Sequence, residues 1–253
     1  METCPVEGKT TLSFESDEFI VFGNVSQRRL ELIGKWADEQ ALSLKKLFDE
    51  KGNRLFKGKL TIFVMKDRYS YEEFNHVIHR RETPEEMTGH SVVDSSFEDA
   101  YVVLQNVETR AEEEAGVMKI NVIDHLTGAF LKRSGKKLPD WVLRGTGLAM
   151  AAKADPQDPY FKNLRADVSG MFRSITKPEQ IFVDGTFSPS EVGPIGFSLV
   201  DFLIRGGGGP KFDRFIRTLQ SNNGDVAKAL KTVYGTEPNM MARQFLSTLP
   251  SKK

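Results

Sequence analysis

The chain has 253 residues, 39% of them hydrophobic, and 35 Lys and Arg balance 35 Asp and Glu. That supplies enough apolar material for a self-sufficient core. A formal net charge of zero excludes the long-range positive field that gathers nucleic acid or anionic membrane. One cysteine, Cys4, excludes an internal disulfide and a cysteine-rich metal site, and no run approaches the ~18 apolar residues of a membrane span.

Residues 1–10 read as a loose lead-in with no apolar signal core. Leu12 to Ser16 and Phe19 to Gly23 alternate or run apolar around Asp17-Glu18, as a strand pair or one bent strand would. From Ser26 to about Lys51, Leu30, Ile33, Trp36, Ala37, Ala41, Leu44 and Phe48 keep a helical period, and Gly52-Asn53 closes the segment. Leu60 to Met65 is a short, apolar, partly β-branched run and the clearest strand. A helix is expected from Ser70 to His79, then a turn or new helical start at Thr83-Pro84-Glu85-Glu86. Strands are expected at Ser91-Val92-Val93 and Ala100 to Gln105, separated by polar Asp94 to Asp99.

Val117 to Ala154 reads as two consecutive helices. Val122, Ile123, Leu126, Ala129 and Phe130 form the stripe of the first. Arg133-Ser134-Gly135-Lys136-Lys137 has the glycine and cations that suit a helix C-terminus, and Leu138-Pro139-Asp140-Trp141 opens the second. Asp155 to Pro159 breaks it. Further on, Phe161 to Ile175 is expected to be helical, Ile181 to Pro194 an irregular loop, and Gly196 to Arg205 a buried helix stopped by Gly206 to Pro210. Three more helical stripes span Lys211 to Gln220, Asp225 to Tyr234 and Glu237 to Leu249. The expected fold class is α+β: a small N-terminal mixed sheet with helices, a central helix pair and a C-terminal helical lobe. Residues 1–116 form the first lobe and 117–253 the second, in one continuous domain.

The segments Asp124 to Leu131, DHLTGAFL, and Leu138 to Gly145, LPDWVLRG, resemble the two central motifs of the gluzincin metallopeptidases, in particular the peptidase-MA-like domains, which read roughly HELTHAFL and LPxWLxEGLA. The resemblance runs from about Ser16 to Leu249 through hydrophobic pattern alone outside those motifs. It implies an N-terminal α/β lobe whose edge strand lines a substrate cleft. In that family two histidines and a later glutamate hold zinc, and the glutamate after the first histidine is the general base. Here the resemblance puts Asp124 at the first ligand, His125 at the base, Gly128 at the second ligand and Arg144 at the third. Glycine has no ligand atom, and arginine adds a permanent positive charge beside a dication. A register shift leaves Leu126 and Ala129 in the base and second-ligand positions. Pro194 and Ile195 stand where active relatives commonly place a tyrosine.

The resemblance therefore implies a catalytically inactive domain without metal or cofactor. Such a domain would bind a protein or an extended peptide, with no nucleic-acid partner, within a larger assembly. It also favours an exported or cell-envelope location in bacteria, although no signal is visible in this sequence and the cytoplasm is the alternative. The competing expectation is a hydrolase with relocated chemistry at Asp124 and His125, but adjacent helix residues point about 100° apart. Asp124 and Arg144 should face each other as a substitute ion pair, with room left by Gly128. If the pair is buried, removing one partner costs about 3–5 kcal/mol.

Other constellations read more plainly. His76 and His79 share a helix face but have no third ligand, and read as exposed helix-end histidines. The acidic cluster Glu108, Glu112, Glu113, Glu114 and the basic cluster Lys132, Arg133, Lys136, Lys137 read as solvated helix ends, with a protein-docking surface as the functional alternative. Gly206 to Gly209 lack the spacing of a phosphate-binding loop, and no GxSxG supports a serine hydrolase.

Overall fold

Alternation along the apolar runs sets the sheet. In the computed structural model, which describes residues 11–94, 100–107, 116–172 and 175–249, Leu60, Ile62 and Val64 of β3 (Leu60–Met65) are buried with Phe19 and Val21 of β2 (Phe19–Gly23). Cys4, the acidic cluster at Glu108 to Glu114 and most of the polar stretch before Ala100 lie outside the described residues. The strand order is β1 (Leu12–Glu15), β2, β3, β5 (Ala100–Gln105), β4 (Gly89–Val93). The β1–β2 pair is an antiparallel hairpin, while β2–β3 and β3–β5 are parallel. Parallel neighbours need a crossover; α1 (Gln27–Leu47) supplies the first and α2 (Arg68–His79) lies within the second. Strand β4 pairs antiparallel with β5 and forms the opposite edge.

Local chemistry fixes the helix starts. The Ser26 hydroxyl accepts from the Arg29 amide and Asp67 Oδ1 from the Ser70 amide, each cap being worth about 1 kcal/mol. Thr83 to Glu86 is a turn, closed by the Met87 amide on the Pro84 carbonyl. The Arg68 guanidinium donates to the carbonyls of Thr83, Pro84, Glu85 and Met87, which holds the approach to β4.

Helix α3 (Gly116–Lys132) is buried on all sides from Ile120 to Leu131 because it packs on α1, β4 and β5 and also on α4 (Asp140–Ala154). Its polar residues Asn121, Asp124, His125 and Thr127 are buried with it; Thr127 Oγ1 accepts from Gln40 Nε2 at 2.8 Å. Beyond α4 come α5 (Pro159–Met171), a 3-10 turn (Pro178–Phe182), α6 (Pro189–Ser221), α7 (Val226–Tyr234) and α8 (Pro238–Thr248). The fold is α+β.

One expectation for the second half needs correction and another is met. The segment Ile181 to Pro194 is not an irregular loop throughout. Helix α6 begins at Pro189, where a missing N–H costs nothing, behind a capping box in which Glu191 accepts from the Ser188 amide and hydroxyl. The glycine run does interrupt α6, as expected, and two helices meet there across a kink. Only Gly208 (φ 74, ψ 170) leaves helical geometry, and Pro210 then falls in the first turn of the resumed helix. Two boundaries also move inward: α1 ends at Leu47 and α5 at Met171.

Candidate functional site

Strand β4 lies along one face of α3. His125 packs on Gly89, where a side chain would meet its ring: a Cβ there would be 2.4 Å from His125 Cδ2. A Cβ on Gly128 would be 3.3 Å from Ser91 Oγ. One turn on, Lys132 Nζ donates to the Ser91 carbonyl at 3.0 Å and to its hydroxyl at 3.1 Å. Residues 125, 128 and 132 recur at helical spacing and 89 and 91 at strand spacing, so each set shares a face.

On the other side of α3, α4 crosses so closely that a Cβ on Gly147 would be 2.1 Å from Asp124 Oδ1. Arg144, one turn earlier on α4, brings Nη2 to 3.2 Å from Asp124 Oδ2. The structure thus brings all four motif residues to one cleft of roughly 550 Å³, which Phe187 and Val192 also line. Val192 belongs to the start of α6, and Ile195 beside it is fully buried.

Burial dominates the electrostatics. It pushes the Asp124 carboxyl above its ordinary range, against the pull of Arg144 and Lys132. Burial, with Arg144 next in effect, holds His125 well below the usual histidine range, so its imidazole is neutral. Lys132 is lowered, chiefly by burial. Tyr160 of α5, which no sequence signal pointed to, is raised by burial and then by the charge of Asp124.

A second feature of the cleft wall was not legible in sequence. His90 Nδ1 lies 2.8 Å from the Tyr71 hydroxyl, and His90 Nε2 lies 3.0 Å from His79 Nε2. At that separation one nitrogen carries the proton and the other accepts it. Burial, Arg81, His79 and Lys132 push His90 down to about 3, and burial pushes Tyr71 up to about 12. His79 is therefore not an exposed helix-end histidine; it is half-buried and paired across to β4, while His76 is exposed.

The residues present do not fit a zinc ion of the kind the motifs suggest. Of the first, second and third ligand positions only Asp124 offers donor atoms, and one of its oxygens faces the Arg144 guanidinium. Among the described residues no group of three or more His, Cys, Asp and Glu is placed to hold a metal ion. Nor do Asp124 and His125 form a dyad with separate access to a substrate: the first turns to α4 and the second to Gly89.

No family model matches the chain, and no curated protein does. Among solved structures the chain is similar to that of native yeast LTA4 hydrolase, with a TM-score of 0.46 and 14% identity. That match covers 96% of this chain and 40% of the other.

Proposed function

We propose that the cleft receives an extended peptide segment as an added strand on β4 and holds it without hydrolysing it, so that the chain acts as a noncatalytic binding module in a larger assembly. The observation that carries this reading is the Asp124–Arg144 pair at the α3–α4 crossing, where the resembled enzymes keep their metal. Beside it lies an edge strand, and strand addition works through backbone hydrogen bonds alone. A set of capped, fluorescein-labelled octapeptides, followed by anisotropy for binding and by mass spectrometry for cleavage with and without added zinc, tests it. Saturable binding with every peptide intact is expected. Zinc-dependent cleavage that disappears in His125→Ala would overturn the reading in favour of a hydrolase.

A further inference from the structure

We infer that the segment received by this cleft carries an Asp or Glu side chain at the residue that pairs with Ser91, and that Lys132 selects it. The inference rests on the strand-addition reading above and adds the chemistry of the partner.

The register of β4 decides which groups face outward. The Thr88 carbonyl accepts from the Gln105 amide at 2.9 Å, and His90 and Val92 stand opposite Val103 and Tyr101 of β5. Antiparallel ladders alternate, so Thr88, His90 and Val92 turn their backbone groups to β5 while Gly89, Ser91 and Val93 turn theirs to the edge. The Lys132 ammonium on the Ser91 carbonyl agrees with that assignment.

A strand entering antiparallel along this edge places one residue directly opposite Ser91. That residue exchanges both of its backbone bonds with Ser91, and its side chain projects from the same sheet face as Ser91 Oγ. Two residues of α3 meet that face. Gly128 has no side chain, which lets α3 approach the serine closely: a Cβ there would lie 3.3 Å from Ser91 Oγ. Lys132 brings a half-buried ammonium whose hydrogen bonds go to the two uncharged oxygens of Ser91.

Among the described residues no carboxylate lies within ion-pair distance of Lys132. Asp124 is engaged by Arg144, and Asp140, also on the cleft, is exposed. An incoming amide competes with Lys132 for the Ser91 carbonyl. A carboxylate on the same incoming residue gives the displaced ammonium a charged acceptor within reach, which a neutral side chain does not. Lysine directed at an edge strand is also a common guard against unselective pairing, so Lys132 would disfavour neutral strands while favouring acidic ones.

The test uses N-acetylated, C-amidated octapeptides in which Asp or Glu is compared with Asn or Gln at each position, so that the side chains carry the only charges. At about 0.1 M salt one position should show a preference of about five- to tenfold for the acid with the wild-type chain. In Lys132→Met that ratio should fall below about twofold, and the amide peptides should bind at least as tightly as to wild type because Ser91 is released. Lys132→Gln, which removes the charge but keeps a donor for Ser91, should lose the preference as well and guards against a Met variant that fails to fold. Amide and acid peptides binding equally to wild type would overturn this inference and leave strand addition standing. An acid preference that persists in both variants would overturn the role of Lys132. No binding of either peptide series to wild type or Lys132→Met would overturn both readings.

Discussion

The Asp124 side chain is 4% exposed while its partner Arg144, 3.2 Å away, is 47% exposed, and this asymmetry determines what the pair contributes. A fully buried pair would lose about 3–5 kcal/mol with either partner, but here Arg144 already reaches water. Asp124→Ala should cost less than about 1 kcal/mol from the lost ion pair, because the guanidinium is simply solvated. Arg144→Ala should cost more, about 1–2 kcal/mol, since it leaves a buried carboxylate without its counter-charge. A double-mutant cycle from urea unfolding should return a coupling near 1 kcal/mol, and strictly additive variants would show that the pair contributes nothing. His90 makes a pH prediction of definite sign. Its pKa is depressed to about 3, so the unfolded chain binds the proton first as pH falls below about 6.5. The stability gained by keeping it neutral is present above that value and is lost progressively between about 6.5 and 3. After allowance for solvent screening the loss should reach about 1 kcal/mol by about pH 5. His90→Gln should flatten the slope of unfolding free energy over that range. Asp124, whose pKa is raised, acts with the opposite sign, so the measurement that counts is the difference between wild type and His90→Gln.

At the scale of elements, glycines set how closely the central helices approach. Helix α4 meets α6 where a Cβ on Gly145 would be 2.2 Å from the Gly196 carbonyl oxygen, and it meets α3 where one on Gly147 would be 2.1 Å from Asp124 Oδ1 and 2.8 Å from its Cα. Backbone forms part of both contacts, so neither can yield by a side-chain rotation. Gly145→Ala and Gly147→Ala should each destabilise by more than about 2 kcal/mol in thermal or urea unfolding. Gly128 differs because the only atom near its added Cβ is the Ser91 hydroxyl at 3.3 Å. Gly128→Ala also recovers about 1 kcal/mol of helix propensity, so it should be neutral or slightly stabilising. A large loss at Gly128 would mean that Ser91 is held more rigidly than its two bonds to Lys132 require. The same logic explains α6, where the chain breaks at Gly208 and resumes at once. The φ of 74° and ψ of 170° there belong to glycine almost alone, so the first helix stops within the glycine run and a second starts directly behind it.

Across the whole molecule, what the sequence determined is what close neighbours encode. Leu60 to Met65 shows its strand by alternation, α1 shows its buried stripe from Leu30 to Leu44, and the α3–α4 pair shows its frame in the apolar positions around Asp124 and Trp141. Each pattern is set by contacts within one or two turns or pleats, so it can be read without knowing what lies across the core. The α+β class follows from the order of those elements. The site was legible only in part. The four motif positions came from a resemblance, and their meeting is decided by the crossing of α3 and α4 at Gly147. The strand order with β5 between β3 and β4, the pairing of His79 with His90, and the reach of Lys132 to Ser91 were not legible at all. Residues 91 and 132 are 41 apart in the chain, and nothing in their local spacing links them. Only the tertiary structure could join them, because the packing of α3 on the sheet, α1 and α4 sets which of its polar groups meet a partner among the described residues, as Lys132 and Thr127 do and Asn121 Nδ2 does not.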